Sequence, residues 1–399
     1  MSDETLSILS DEIARPSEVL EVARLEDIFP IPREKYEMIF RSENTPTCEG
    51  ILETMDRSET VMVSLNLHGL GDSVIEMRHA MLMARSFPEK GFVFVVPKGF
   101  LQISGWELPQ NVRLCKEYDE DIMADPSSLL VCLNQAGSIH YEIRDAQKGL
   151  LSSYYKMLNE RRVFCLADLL MTRSIYGYLQ RIGCLPFASG VNYTDIFYAM
   201  SLDLLGAKNL SASHLDVPML KPVVPEAENE FDIVIAPDAR EYPDSVDGVS
   251  IKSLPLHVWS KLASHLPKDK KVCLVKGVCA PQYCEKVYEE LMAKGIDATF
   301  RETPTLGDFV SLVRSGRRFV GMDSGTTHLA SEAAKVSSFD IREIYSISEF
   351  SVEEYGIRGL GQRGLILPIY IHYLRDHNLG QDHINTVLSK LTEHISKGL

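Results

Sequence analysis

Short apolar runs that alternate with segments of helical spacing are the feature that most limits how this chain can fold. VMVSLNL begins at Val61, a turn and an amphipathic segment over 74–87 follow, and FVFVVP begins at Phe92. This order predicts a parallel strand–helix–strand crossover. The apolar runs are continuous, which is typical of strands buried on both faces of a parallel sheet.

A second series of the same kind begins at Phe231, after a segment with three prolines, LDVPMLKPVVPEAEN over 215–229. A proline-rich and acidic stretch between two periodic regions indicates a domain boundary. We therefore predict an α/β protein with two doubly wound, Rossmann-like domains, at 59–222 and 223–399. Residues 1–58 are predicted to be an N-terminal extension whose role the sequence does not reveal.

Composition excludes several classes of protein. The chain has 399 residues and a net charge of −15, which is a poor match for nonspecific nucleic-acid binding. We expect no secretory signal and no transmembrane segment, because neither a charged leader with an apolar core nor a long apolar run is present. Eight scattered cysteines without a CxxC pair favour free thiols and a cytoplasmic location, and we expect no metal and no cofactor.

The first candidate loop is LHGLGDS, which follows the strand that begins at Val61. Gly69 and Gly71 permit a tight turn, and His68 lies beside it. Asp72 opens the next helix, where it is either an N-cap or a general base facing a ligand. The loop matches neither GxGxxG nor a P-loop.

The second candidate loop is DSGTTH, which follows the strand ending at Met322. Gly325 lets the backbone approach a ligand, and the hydroxyls of Ser324, Thr326 and Thr327 can cap the helix that follows. Exposed amides at such a helix start favour an anion such as a diphosphate. The alternative is a capped helix without a ligand.

These segments together resemble the ADP-heptose:lipopolysaccharide heptosyltransferase family, glycosyltransferase family 9. HGLGDSVIEMRHAMLMARSFPEKGFVFVV resembles its first strand–helix–strand unit, and VGMDSGTTHLASEAAKV resembles its second signature. APDAR at 236–240, followed by IKSLPLHVW at 251–259, resembles the family segment that begins APGA and continues to a lysine and tryptophans.

The resemblance implies a GT-B fold, in which two Rossmann-like domains face each other across a cleft. It places Asp72 at the catalytic base, in a Gly-Asp turn on the acceptor side that also contains Gly69 and Gly71. His68 beside this turn is either a ligand contact or a hydrogen-bonded structural histidine.

The resemblance places Lys252 at the donor-phosphate lysine and His328 at the histidine of the second signature. The loop that holds the donor diphosphate is then formed by Asp323, Ser324, Gly325 and Thr326. We also assign Thr327 and Arg240 to the donor, Thr327 from its place in that loop and Arg240 from its place after a predicted strand. Arg240 and Lys276 end predicted strands, where each is either a phosphate ligand or a surface charge.

The implied function is an inverting, metal-independent glycosyl transfer, as in lipopolysaccharide biosynthesis. A sugar, heptose or similar, moves from a nucleotide donor, with ADP favoured, to a hydroxyl of a glycan, protein or small molecule. The alternatives are a nucleotide-sugar epimerase of the same build and an inactive nucleotide-sugar-binding protein. VSSFDIREIYSI at 336–347 departs from the family pattern, which leaves the base and sugar of the donor open.

Overall fold

The computed structural model describes eleven stretches of the chain, and every structural statement below concerns them. They are 48–65, 69–133, 148–165, 219–221, 230–238, 253, 256–277, 280–322, 324–335, 343–348 and 364–368.

The described chain divides into two compact units, Met1–Leu101 with Leu108–Val217, and Gln102–Glu107 with Pro218–Leu399. The main division therefore falls between Val217 and Pro218, within the proline-rich segment 215–229. The sequence did not predict that Gln102–Glu107 joins the second unit. There, Trp106 forms an antiparallel bridge with Leu220, and Lys221 N donates to the carbonyl of Gly105 at 2.6 Å.

The first unit contains one parallel sheet and the helices that cover it. In chain order its elements are α1 (Cys48–Arg57), β1 (Thr60–Ser64), α2 (Leu70–Ser86), β2 (Gly91–Val95), β3 (Val112–Cys115), α3 (Glu120–Ala124), β4 (Ser128–Cys132), α4 (Leu151–Asn159) and β5 (Val163–Cys165). Short 3-10 helices cover Lys98–Gln102 and Lys148–Leu150. The strand order is β3-β2-β1-β4-β5 and every described pair is parallel.

Helix α1 lies within the predicted N-terminal extension and packs on this unit. Met55 is buried, and Lys90 donates through Nζ to the carbonyl of Ser58 at 2.9 Å. The extension is therefore structured over its last residues, because α1 contributes an apolar side chain to the core beside β1.

Helix α2 begins earlier than its apolar pattern predicts. The sequence placed the helix at 74–87, whereas it starts at Leu70. Gly69 is the N-cap in extended conformation, and its carbonyl accepts from both the amide and the hydroxyl of Ser73, at 2.9 and 2.6 Å. The helix starts earlier than predicted for a local reason. The two hydrogen bonds from Ser73 to Gly69 stabilise a first turn that includes Gly71.

The second unit contains a six-stranded parallel sheet. In chain order its elements are β6 (Phe231–Ala236), α5 (Leu256–His265), β7 (Lys271–Lys276), α6 (Pro281–Ala293), β8 (Asp297–Glu302), α7 (Leu306–Arg314), β9 (Gly316–Met322), α8 (Gly325–Lys335), β10 (Glu343–Ser348) and β11 (Gly364–Pro368). The strand order is β11-β10-β9-β6-β7-β8. Counted from β6 as the first strand, this is the Rossmann order 3-2-1-4-5-6.

The two sheets confirm the predicted class of Rossmann-like α/β domains. Their central strands β1, β4 and β6 are buried on both faces, as the continuous apolar runs predicted. Strands β10 and β11 were not predicted, and all but the last residue of β10 lies in the segment that departs from the family pattern. In the second unit, Trp259 anchors the core and donates through Nε1 to the hydroxyl of Tyr283 at 2.7 Å.

A membrane crossing needs a helix that is both long and strongly apolar. None of the helices in the described ranges meets both requirements.

Candidate functional site

The first candidate loop lies at the carboxyl end of β1, next to the point where strand order reverses. The chain passes from β1 outward to β2 and β3, then returns to β4 on the other side of β1. Ligands of open α/β sheets bind at such switch points, beyond the carboxyl ends of the strands. Gly69 and Gly71 lie here as predicted, and His68 lies outside the described residues.

Asp72 is the third residue of α2 and is exposed. The interpretation of Asp72 as an N-cap is wrong, because Gly69 holds that position and no side chain caps this end. An acid in a first turn is favoured by the partial positive charge of the helix N-terminus. An exposed carboxylate thus lies at the switch point of the first sheet.

The second candidate loop lies at the carboxyl end of β9, at the switch point between β9 and β6. Ser324 precedes α8, and its carbonyl accepts from the amide of Thr327 at 3.0 Å. The hydroxyls of Ser324 and Thr326 are 2.6 Å apart and hydrogen-bonded to each other. Among the described residues, no hydrogen-bond acceptor contacts the amides of Gly325 and Thr326. Two amides and two hydroxyls are therefore grouped where an anion would meet the positive end of α8.

Thr327 holds this turn against the sheet. It is 1% exposed, and its hydroxyl donates to the carbonyl of Met322 at the end of β9. A Cβ on Gly321 would overlap Thr327 Oγ1 and the ring of Phe319, so glycine lets α8 approach β9 closely. The sequence assigned Thr327 to the donor, and the structure places its hydroxyl in the contact between helix and strand.

His328 is also buried, at 6% exposure, one residue further into α8. Lys252, Arg240 and Asp323, the other residues assigned to the donor, lie outside the described residues.

Lys276 ends β7 and is held by two carboxylates. Its Nζ lies 3.2 Å from Glu285 Oε1 and 3.0 Å from Glu302 Oε1. Hydrogen bonds to Glu302 and then Glu285 raise the pKa of Lys276. This pairing favours the interpretation of Lys276 as a surface charge over that of a phosphate ligand.

The acidic run Asp119–Asp121 forms the start of α3. Asp119 caps α3 by accepting from the amide of Ile122, and Arg113 Nη2 donates to it at 2.8 Å. The hydrogen bond from Arg113 is the main cause that lowers the pKa of Asp119. Across the described ranges, no three His, Cys, Asp or Glu side chains are grouped as a metal site requires.

Asp238 is a buried acid at the switch point of the second sheet that the sequence did not single out. It follows β6 and is 6% exposed, and its carboxylate fills the space in which a Cβ on Gly277 would lie. Burial raises the pKa of Asp238, while hydrogen bonds from its own backbone amide and that of Ala280 act in the opposite direction. The signal was present in APDAR, where Asp238 stands in place of the glycine of APGA.

Comparison with known proteins identifies the fold. No protein-family model matches the chain, and no curated protein sequence matches it. A glycosyltransferase family 9 structure from Veillonella parvula is similar over 84% of this chain and 99% of its own, at 12% identity and a TM-score of 0.52. Escherichia coli heptosyltransferase WaaC with ADP-2-deoxy-2-fluoro heptose is similar over 84% of this chain and 99% of its own, at 14% identity and a TM-score of 0.48.

A putative UDP-N-acetylglucosamine 2-epimerase from Listeria monocytogenes is also similar, over 84% of this chain and 91% of its own, at 11% identity and a TM-score of 0.40. At these identities a likeness establishes fold alone. The chain thus resembles glycosyltransferase family 9 in structure as well as in its motifs. The predicted GT-B fold class is confirmed.

Proposed function

We propose that the protein transfers a sugar from a nucleoside-diphosphate donor to the hydroxyl of an acceptor, with inversion and without a metal. The single observation that supports this most is the turn Ser324–Thr326. It presents amides and hydroxyls at the start of α8, at the switch point of a sheet with Rossmann order. A diphosphate is the anion that this arrangement fits best.

The proposed reaction forms one C–O bond and breaks another. The acceptor oxygen attacks the anomeric carbon of the donor while Asp72 accepts the hydroxyl proton. The bond from the anomeric carbon to the diphosphate oxygen breaks, and both electrons leave with the nucleoside diphosphate. Asp72 is suited to the role of base because it is an exposed carboxylate in the first turn of α2, at the carboxyl end of β1.

The second part of the mechanism is stabilisation of the leaving group. In this proposal the amides of Gly325 and Thr326 and the ammonium group of Lys252 stabilise the charge that develops on the diphosphate. The electrostatic contribution is the larger of the two, whereas base catalysis adds about 10²–10⁴-fold.

The donor proposed first is ADP-heptose, because the motifs resemble those of the ADP-heptose-dependent family. The acceptor can be a glycan, a protein or a small molecule. The test begins with a thermal-shift panel of ADP, UDP, GDP and dTDP, in which the bound nucleotide stabilises the folded chain. Turnover of the matching nucleotide sugar is then measured with and without candidate acceptors.

Asp72→Asn distinguishes the transferase from the alternatives. We expect kcat to fall about 10²–10⁴-fold while the Kd for the nucleotide stays unchanged, since the base acts only in the chemical step. Asp121→Asn is the matched control, because Asp121 is an exposed acid in the first turn of α3 in the same unit. Full activity of Asp72→Asn contradicts its role as base.

The products decide between the remaining interpretations. A transferase yields a glycosylated acceptor and releases nucleoside diphosphate, whereas an epimerase alters the sugar without an acceptor. A binding protein shows a thermal shift and no turnover in any assay. Chelation with EDTA is expected to leave the rate unchanged, and a loss of activity that Mg²⁺ restores contradicts metal independence.

A further inference from the structure

Asp238 lies level with Gly277 on the neighbouring strand. Ile235 of β6 pairs with Leu274 of β7, and the two residues each lie three positions beyond that pair. The Asp238 carboxylate occupies the space above Gly277, so an acid supplied by β6 stands at the carboxyl end of β7. The side chain of Asp238 therefore reaches from the end of β6 to the end of β7, and the absence of a side chain at Gly277 leaves room for it.

The carboxylate also reaches the start of α6. The amide of Ala280, the N-cap residue, donates to it. Ala280 has no capping side chain of its own, and Pro281 has no amide hydrogen to offer a ligand. Among the described residues, two backbone amides therefore contact a carboxylate that can accept about four hydrogen bonds.

The place of this acid in the sheet has a chemical meaning. In nucleotide-binding sheets of Rossmann order, an acid beyond the second strand accepts hydrogen bonds from the ribose hydroxyls. Counted within this unit, β6 is the first strand and β7 the second. Gly277 directly follows β7 and has no side chain. The Asp238 carboxylate occupies the space that a side chain at 277 would fill.

The two sides of β6 differ in the charge that they present to a ligand. The turn Ser324–Thr326 beside β9 presents hydroxyls and amides, whereas Asp238 presents a buried carboxylate on the side of β7. A phosphate is attracted to the first and repelled by the second. A nucleotide on this edge therefore has a preferred direction, with its phosphates towards α8 and its hydroxyls towards Asp238.

We propose that Asp238 is a specificity-determining residue that accepts a hydrogen bond from the ribose of the bound nucleotide and sets the nucleotide's direction on the sheet. The inference rests on the proposed function, since it presumes a nucleotide at this edge. It requires a ribose hydroxyl to approach the small part of Asp238 that stays exposed, which is 6% of the residue's surface. The ligand class it selects is a ribonucleoside diphosphate.

The first test uses the unaltered protein. Isothermal titration with ADP, 2′-deoxy-ADP and 3′-deoxy-ADP measures the contribution of each ribose hydroxyl. If the panel above favours another base, that ribonucleotide and its two deoxy forms replace these probes. We expect about tenfold or greater weakening for at least one deoxy form, because a hydrogen bond to a charged acceptor is lost.

The second test assigns this discrimination to the carboxylate. In Asp238→Asn the ratio of deoxy to ribo Kd is expected to fall at least threefold. Asp232→Asn is the matched control, because Asp232 lies at the opposite end of the same strand and accepts from the amide of Lys271 at 3.0 Å. It is expected to keep the ratio of the unaltered protein.

The outcomes separate this inference from the proposed function. Absence of binding by ADP, UDP, GDP and dTDP overturns both. If a ribonucleotide binds but its 2′-deoxy and 3′-deoxy forms bind with nearly the same Kd, the role of Asp238 is overturned and the proposed function is not. This outcome is measured on the unaltered protein, so it does not depend on the folding of a variant. A discrimination that persists in Asp238→Asn, or that is lost equally in Asp232→Asn, also overturns it.

Discussion

The Asp238 carboxylate and Gly277 share one space at the carboxyl edge of the second sheet. The carboxylate lies where a Cβ on Gly277 would be, and it accepts from the amide of Ala280 at the start of α6. Two neighbouring strand ends and a helix start are joined by one side chain. Since the contact depends on the absence of a side chain at 277, it can be tested by adding one methyl group.

Gly277→Ala is expected to destabilise the protein by about 1–3 kcal/mol, because overpacking displaces a buried carboxylate from its amide partners. Thermal melting checks this as a fall in Tm. Gly149→Ala is the matched control, since nothing lies within 4 Å of its built Cβ. Equal Tm values for the two variants would show that the carboxylate moves aside without cost.

Thr327→Val is expected to lower the free energy of unfolding by about 1–3 kcal/mol, because the buried carbonyl of Met322 loses its hydroxyl donor. Thr326→Val provides the comparison. Its hydroxyl is partly exposed and bonds only to that of Ser324 among the described residues, so a change within about 0.5 kcal/mol is expected. Urea unfolding measures both, and the reverse order of effects would contradict the assignment of Thr327 to packing.

Asn111→Asp tests the far end of the helix that carries Asp72. Asn111 Nδ2 lies 3.0 Å from each of three carbonyls, those of Ala84, Phe87 and Lys90. A carboxylate would face these oxygens with no hydrogen to donate, and we expect a loss of about 2 kcal/mol or more at neutral pH. Thermal melting measures the loss, with Asn159→Asp at the exposed last residue of α4 as the control. A Tm unchanged from that control would show that these carbonyls find other donors.

His79 is expected to make the protein less stable in acid. Burial, and then the charge of Arg78, lower the pKa of His79 from 6.5 to about 3. Between these pH values the unfolded chain binds a proton that the folded chain does not. Stability from this group is therefore complete above about pH 6.5 and is lost as pH falls towards 3. His79→Leu should flatten the fall of Tm across this window, and an NMR titration of His79 near pH 6.5 would refute the expectation.

Local pattern was sufficient for most helices and strands. The predicted strands at 112–115 and 297–302 and the helix at 256–265 match the structure residue for residue. Such segments are set by the spacing of their own apolar residues. The start of α2 was missed, because the closing contact of Ser73 with Gly69 is not visible in an apolar pattern.

The candidate site was predicted in part. The sequence indicated Asp72 and the Ser324–Thr326 turn through residue types that follow apolar runs, and both lie at strand ends as expected. It did not distinguish the partly exposed Thr326 from the buried Thr327, because both are threonines in one turn. Burial depends on what the helix meets, and here it meets Gly321.

The sequence by itself determined that this chain forms two series of parallel strands with polar turns at their ends, since those properties depend on neighbours along the chain. Only the tertiary structure decided the strand order, and with it that β6 lies between β9 and β7. That order brings Asp238 over Gly277 and beside the start of α6, although Asp238 is far from both in sequence. Contacts of this kind depend on register between strands, which is set by packing of the whole sheet.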